Sequence, residues 1–336
     1  NMDEGNFVSS ENIVGMSIDN ILPETPSNLL AAAGFTPNPT MFLAWDYEHE
    51  TDFAYHLINS FNNNYTTIEN NIEIDIELPY NEYFINSVDI NSNLSIKSEF
   101  VSVYELHEGN NLISFSVLPE NNSIYNIFEG YELDIIAVVG EGVASMNESY
   151  ISEVDDPELI HWFGTLTNFS HSKGYWVQAN QDIMLVVKGL RGVVNEFSIH
   201  QGPNLLSYTC ENSANVSSAI NNDCISGIVG EGKATTFIDE IGWVGSLHTL
   251  ESGRGYWYFS NCQNTMLTYD CPEENFARKE QIEINREYYQ SMKQAFYFIE
   301  DIEGVEIGDV IEIYNGDILV GSNVWLGPYT DIPVMG

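Results

Sequence analysis

The sequence NLISF at residues 111–115 returns in altered form as NLLSY at residues 204–208. Three further blocks, GEG, WFGTL and GYW at residues 140–142, 162–166 and 174–176, return as GEG, WVGSL and GYW at residues 230–232, 243–247 and 255–257. The spacing between blocks differs in the two copies, which is expected where loops vary around a kept core. The chain therefore contains two related modules, which we place at residues 104–190 and 191–272.

The pattern within each module is that of β-structure. Short apolar segments are separated by Gly and Asn, which is typical of strands joined by tight turns. Each GEG block follows an apolar strand, as a dinucleotide-binding loop would, but that loop needs a third glycine and a helix behind it. Ser145 and Thr235 occupy the positions of the third glycine. Both blocks are therefore predicted to be tight turns that need the backbone freedom of glycine.

The rest of the chain is also predicted to consist of strands. Residues 72–78 (IEIDIEL) alternate apolar and acidic side chains, the period of a half-buried strand. We therefore expect an all-β, multidomain chain: a β-sandwich, the two modules and an incomplete C-terminal β unit. The expected segments are 1–22 (trailing strand of a preceding domain plus linker), 23–103 (sandwich), 104–190 and 191–272 (modules), 273–293 (linker) and 294–336 (incomplete β domain).

Residues 26–103 carry motifs that resemble a fibronectin type III domain. In chain order these are PSNL at residues 26–29, LAW at 43–45, LP at 78–79 and YFINSVD at 83–89. The resemblance implies a seven-strand sandwich used as a spacer or binding module, with Tyr83 as the corner tyrosine whose hydroxyl bonds back to the chain. The two modules resemble tandem repeats of large secreted or surface proteins of environmental bacteria and of some virion proteins. That resemblance implies a location rather than an activity.

The charge of the chain is strongly acidic, with 50 Asp and Glu against 10 Lys and Arg and a formal net charge of −40. No basic patch is available to neutralise phosphates, so nucleic acid is not expected as a partner. The acidity suits a salty medium that screens self-repulsion, and the carboxylates would also suit a structural Ca²⁺ ion. No other cofactor is expected. The sequence has no apolar run of about 18 residues, so we expect no membrane insertion.

All four cysteines, Cys210, Cys224, Cys262 and Cys271, lie in the second module and its exit. Four cysteines allow three pairings, and their spacing does not resemble the close pairs of a zinc site. We predict disulfides and therefore an oxidising compartment. The chain is accordingly expected to be part of a longer exported polypeptide, located outside the cell, at the cell surface or on a virion.

No sequence motif indicates catalysis. His49 and His56 are too far apart for a helical zinc-protease pair, and the sequence contains no Gly-x-Ser-x-Gly elbow. Paired carboxylates are too abundant in so acidic a chain to mark a glycosidase site. We therefore expect no enzymatic activity.

The Gly-Tyr-Trp blocks supply the candidate glycan contacts Tyr175, Trp176, Tyr256 and Trp257, because flat aromatic faces stack on sugar rings. Recurrence at matching positions favours Trp176 and Trp257 as core residues of each module. Strand alternation then turns Tyr175 and Tyr256 towards the opposite face, where we expect them to be exposed.

Three functional hypotheses follow from the sequence. The first is a non-catalytic structural or adhesive segment of a large extracellular surface or fibre protein, with self-assembly of copies as the expected partnership. The second is glycan binding by the two modules. The third is that they are accessory modules of a secreted hydrolase whose catalytic domain lies outside these residues.

Overall fold

A computed structural model describes residues 21–61, 63–76, 79–148, 161–272, 291 and 293–336. The described residues form antiparallel β-sheets with two helices of four residues each. The predicted all-β, multidomain fold class is therefore confirmed. Most of the segments predicted at 1–22 and 273–293 lie outside the described residues.

The first unit is a sandwich of two sheets. Its strands are β1 (Ser27–Gly34), β2 (Thr40–Asp46), β3 (Phe53–Asn59), β4 (Asn64–Thr67), β5 (Asn71–Asp75), β6 (Tyr80–Asp89) and β7 (Phe100–Leu106). The sheet β1-β2-β5 faces the sheet that contains β4-β3-β6-β7, and Leu43, Trp45 and Tyr83 are buried between them. In β5, Ile74 is buried while Glu73 is exposed, as the alternation predicts. Membership of the fibronectin type III family stays a prediction.

The two modules have the same fold. Module 1 contains β8 (Gly109–Ser114), β9 (Val117–Leu118), α1 (Ile124–Ile127), β10 (Ile135–Gly140), β11 (Val143–Asn147), β12 (Trp162–Gly164), β13 (Gly174–Ala179) and β14 (Ile183–Arg191). Module 2 contains β15 (Glu196–Ile199), β16 (Gly202–Ser207), β17 (Ala214–Asn215), α2 (Val216–Ala219), β18 (Ile225–Gly230), β19 (Lys233–Ile238), β20 (Gly242–Gly245), β21 (Thr249–Leu250), β22 (Gly255–Ser260) and β23 (Thr265–Thr268). The main sheets are ordered β12-β11-β10-β13-β8 and β20-β19-β18-β22-β16, so the sequence repeat is a repeat of topology.

The GEG blocks form two-residue hairpin turns, as predicted. In module 1 the turn joins β10 to β11, and in module 2 it joins β18 to β19. Gly142 and Gly232 have φ angles of 73° and 63°, in the left-handed region where glycine avoids a Cβ clash. The glutamate at the first turn position of each hairpin is thereby held at the end of the hairpin.

The sandwich and module 1 share two strands. β7 pairs with β6 of the sandwich on one side and with β14 of module 1 on the other. Along β14, Met184 packs into the sandwich core, whereas Ile183 and Leu185 pack into the core of module 1. Successive side chains of a strand point to opposite faces, so one strand serves two cores. The domain boundary predicted between residues 103 and 104 lies inside β7.

The C-terminal unit packs against module 2 through a buried aspartate. Its strands are β24 (Gln294–Ile299), β25 (Val310–Asn315), β26 (Ile318–Val324) and β27 (Thr330–Met335), paired as β24-β27 and β25-β26. Asp331 on β27 is 0% exposed. Its carboxylate accepts hydrogen bonds from Ala234 N at 3.1 Å and Ser246 Oγ at 2.7 Å, and also from Ser246 N. Burial raises the pKa of Asp331 more than these donors lower it.

Candidate functional site: the clasp between the modules

The two tyrosines predicted to be exposed are buried. Tyr175 and Tyr256 are each 3% exposed and lie in the cores of their own modules. Their hydroxyls accept hydrogen bonds from Ser170 N and Glu251 N, both at 2.9 Å. Burial raises the pKa of Tyr175 to about 12. The prediction of exposure was wrong because both faces of this part of each sheet are covered.

The opposite face is buried between the two modules. Trp176 of module 1 forms a cluster with Leu112 and with Leu205 of module 2, and Trp257 packs against it. The two Trp residues therefore lie in a core, but it is the core between the modules and not the core of either module. Of the four aromatic side chains proposed as glycan contacts, Tyr175, Trp176 and Tyr256 are buried, and Trp257 is partly exposed.

The glycines of the Gly-Tyr-Trp blocks allow the backbones to approach closely. A Cβ atom on Gly174 would lie 3.1 Å from Gly255 Cα, and one on Gly255 would lie 3.1 Å from Gly174 Cα. Such a contact is tighter than ordinary side chains make, so any larger residue would push the modules apart. The glycine in each block is thus explained by the contact between the modules.

Two glutamates reach across this interface in opposite directions. Glu231, in the GEG turn of module 2, accepts from Leu112 N at 2.9 Å and faces His107 Nε2 at 2.8 Å. Glu141, in the GEG turn of module 1, accepts from Leu205 N at 3.0 Å and faces His200 Nε2 at 2.6 Å.

Each of these glutamate contacts thus occurs twice with the modules exchanged, so the interface has approximate pseudo-twofold symmetry. A cation joins each glutamate: Lys173 Nζ lies 3.3 Å from Glu141, and Arg254 Nη1 lies 3.6 Å from Glu231. We call the set of charged side chains at this interface the clasp. Its members are His107, Glu141, Lys173, His200, Glu231 and Arg254.

The glutamates of the clasp are held in their charged form. Burial by itself raises the pKa of Glu141, but the contacts with His200, Leu205 N and Lys173 outweigh it and hold that pKa below its ordinary value. The pKa of Glu231 is lowered in the same way, against burial, by His107, Arg254 and the N–H of Leu112. An unpaired carboxylate at this depth would be costly, so the partners fix the position of each GEG turn.

The histidines of the clasp have raised pKa values. The hydrogen bond to Glu231 is the main cause for His107, and the backbone carbonyl of Gln201 followed by Glu141 is the cause for His200. Neither histidine was singled out from the sequence. The signal was present, because His107 and His200 stand at the same place before the repeated NLISF and NLLSY blocks.

The cysteines form two disulfides within module 2 and its exit. Cys210 is bonded to Cys271, and Cys224 to Cys262. The prediction of disulfides is confirmed, and the structure selects one of the three pairings that the sequence left open. Two disulfides indicate a secreted, non-cytoplasmic protein.

The cleft beside the clasp is small. A half-open cleft of about 210 Å³ lies beside Glu141, Lys173 and Tyr175, below the usual range of small-molecule pockets. Within the described ranges, no group of three or more His, Cys, Asp or Glu side chains is arranged to hold a metal ion. The structural Ca²⁺ suggested by composition therefore has no such ligand group there.

No helix in the described part of the chain is long and apolar enough to cross a membrane. Comparisons with known proteins gave no matching family model, no matching curated protein and no matching solved structure, so the interpretation of this chain depends on its own sequence and geometry.

Proposed function

We propose that the chain is a non-catalytic structural and adhesive segment of a large extracellular surface or fibre protein, in which the clasped modules act as a stiff spacer. The observation that carries this proposal is the clasp, because it joins two repeats by reciprocal contacts that each module supplies and receives. Domains within a chain usually move relative to one another unless their interface is large and well packed.

The other junctions support the same proposal. The sandwich and module 1 share β7 and β14, so bending between them would break a continuous sheet. Module 2 holds the C-terminal unit through Asp331, whose buried carboxylate would lose three donors if the two separated. Relative motion at any of the three junctions would therefore expose buried groups to solvent or remove their hydrogen-bond partners.

The proposal is tested by small-angle X-ray scattering of the purified chain and of its Glu141→Ala/Glu231→Ala variant. We expect the wild-type profile to fit one conformer, and the variant to fit only an ensemble with a larger radius of gyration. A matched control is Glu312→Ala, an exposed acidic residue of the C-terminal unit. A wild-type profile that itself requires a broad ensemble would contradict a stiff spacer.

The other two hypotheses stay predictions. The glycan-binding hypothesis depended on exposed tyrosines, but Tyr175 and Tyr256 are both 3% exposed. An accessory role beside a hydrolase is compatible with a stiff spacer. A glycan array of the purified chain separates the hypotheses: saturable binding would favour the glycan alternative and require contacts other than Tyr175 and Tyr256.

A further inference from the structure

Each histidine of the clasp faces two hydrogen-bond acceptors. His107 Nδ1 lies 2.7 Å from the carbonyl oxygen of Glu108, while its Nε2 faces the carboxylate of Glu231. His200 Nδ1 lies 2.9 Å from the carbonyl oxygen of Gln201, while its Nε2 faces the carboxylate of Glu141. A neutral imidazole carries one N–H, whereas the imidazolium carries two. Both contacts of each ring are satisfied only in the protonated form.

From this geometry we propose that the clasp is a proton-dependent latch, closed when His107 and His200 carry two N–H groups each and loosened when they lose a proton. Loss of the proton leaves an acceptor facing an acceptor at one side of each ring. Because the arrangement occurs twice, both halves of the interface weaken in the same pH range. This inference concerns the interface alone and does not depend on the proposed function.

The other charged groups around each histidine set how strongly the latch responds. His107 faces Glu231 and, more distantly, Glu105, with Arg254 opposing its protonation. His200 faces Glu141, with Lys173 opposing its protonation. Lys173 and Arg254 keep their charges when the histidines lose theirs, so each glutamate retains one cationic partner beside its backbone N–H donor. We therefore expect the interface to loosen at high pH rather than to come apart.

The direction of the pH effect follows from the raised histidine pKa values. A base whose pKa is higher in the closed state stabilises that state fully below its ordinary value of 6.5, and this stabilisation is lost as pH rises through the raised pKa. The glutamates act oppositely, because their lowered pKa values make them stabilising above 4.5 and ineffective as pH falls through the lowered values. The latch is therefore firmest at mildly acidic pH.

The size of the effect has an upper limit. One proton released on opening changes the equilibrium by up to about tenfold per pH unit for each histidine. The side chains of His107 and His200 are 47% and 55% exposed, so solvent screening reduces the effect below that limit. A change of severalfold between pH 6 and pH 8.5 is the expected range.

The first test is a nuclear magnetic resonance titration of the histidine rings in the whole chain. We expect His107 and His200 to titrate above 6.5 in the wild type. Glu231→Gln should lower the pKa of His107 much more than that of His200, and Glu141→Gln should do the reverse. If each variant left the pKa of its partner histidine unchanged, the cross-module contacts would not exist in solution and the inference would fail.

The second test measures opening itself through hydrogen exchange of the amides of Leu112 and Leu205, which donate to the two glutamates. Their protection factors, corrected for intrinsic exchange, should fall severalfold from pH 6 to pH 8.5 in the wild type. They should be almost independent of pH over this range in His107→Gln/His200→Gln. His161→Gln, at an exposed histidine outside the clasp, should behave as the wild type does. Equal pH dependence in the wild type and the double variant would overturn the latch, and the wild-type titration stays decisive if that variant does not fold.

Discussion

The two modules have the same topology, but different bonds stabilise the corresponding end of each module. In module 1, Gln181 Nε2 donates to Asp134 Oδ1 at 2.6 Å. In module 2 the corresponding place is occupied by the Cys224–Cys262 disulfide. A neighbouring backbone hydrogen bond occurs in both modules. It runs from Asn180 N to Asp134 O at 2.9 Å in module 1 and from Asn261 N to Cys224 O at 2.8 Å in module 2. A covalent bond has thus taken the place of a side-chain hydrogen bond on the same backbone.

The same difference is found at a second place. In module 1, β9 pairs with β14 through Val117 and Leu118. In module 2, Cys210 occupies the position that corresponds to Val117 in the repeat. Its disulfide to Cys271 links the two segments there, in place of the strand pairing of module 1. β14 belongs to a sheet of six strands that includes one of the two sheets of the sandwich, whereas β15 and β23 form a sheet of two in the described part of the chain. The comparison indicates that module 1 takes support from its neighbour and that module 2 replaces that support with disulfides.

The largest expected effect comes from reducing both disulfides. Loss of a native disulfide typically costs about 2–5 kcal/mol, so module 2 should lose most of its stability while module 1 keeps its protected amides. Hydrogen exchange with mass spectrometry, with and without reductant, separates the two modules. The comparison would be contradicted if β10 and β18, the matching central strands, lost protection equally.

Truncating the cluster between the modules should have the next largest effect. Leu112 and Leu205 are both 0% exposed and occupy matching positions. Leu112→Ala and Leu205→Ala should each lower the free energy of unfolding by about 2–5 kcal/mol. The pseudo-twofold symmetry predicts similar losses, and the double variant should cost less than the sum because both leucines line one cluster. Denaturant titration checks this, and a large difference between the single variants would show that the interface is not symmetric in energy.

A smaller effect is expected at Asp331, where the modules differ again. In module 2 its carboxylate accepts from Ala234 N and from Ser246. In module 1 the matching amide, Ala144 N, has Thr165 Oγ1 of its own module at 3.4 Å instead. Asp331→Asn would place an amide N–H₂ group against an N–H donor, and we expect a loss of about 1–3 kcal/mol.

Asp331→Asn should release the C-terminal unit selectively. Limited proteolysis and thermal unfolding of the variant should show β24 and β27 losing protection before β18 and β22. Asp317→Asn, at an exposed aspartate of the same unit, is the matched control and should stay within about 0.5 kcal/mol of the wild type. Equal stability of Asp331→Asn and the wild type would show that the carboxylate contributes nothing to docking.

Much of the fold could be predicted from the sequence because the relevant signals are local. The repeated blocks gave the two modules, the alternation in residues 72–78 gave a half-buried strand, and glycine spacing gave the GEG turns. These signals depend on residues close together in the chain. The boundary near residue 103 was placed inside β7 because a strand that serves two cores has apolar residues on both faces and shows no break.

The clasp was missed because it depends on contacts between distant segments. Alternation correctly put Tyr175 and Trp176 on opposite faces, but it cannot say that a second module covers the other face. Glu141 and Glu231 looked like turn residues, and their partners lie in the opposite module. Side chains that repeat at matching positions are therefore candidates for contacts between the copies as well as for the core of each.

The smallest expected effect is a gain in stability, from moving the module 2 disulfide into module 1. The Cα atoms of Cys224 and Cys262 are 5.4 Å apart, within the range that a disulfide requires. The backbone hydrogen bond from Asn180 N to Asp134 O matches the one beside that disulfide, so we expect a similar spacing between Asp134 and Gln181. Asp134→Cys/Gln181→Cys should therefore form a disulfide without reductant and raise the free energy of unfolding of module 1 by about 0.5–2 kcal/mol. Asp134→Ser/Gln181→Ser, which loses the hydrogen bond without adding a crosslink, is the control. Free thiols in the oxidised double variant would show that the ends of the two modules differ in backbone as well as in side chains.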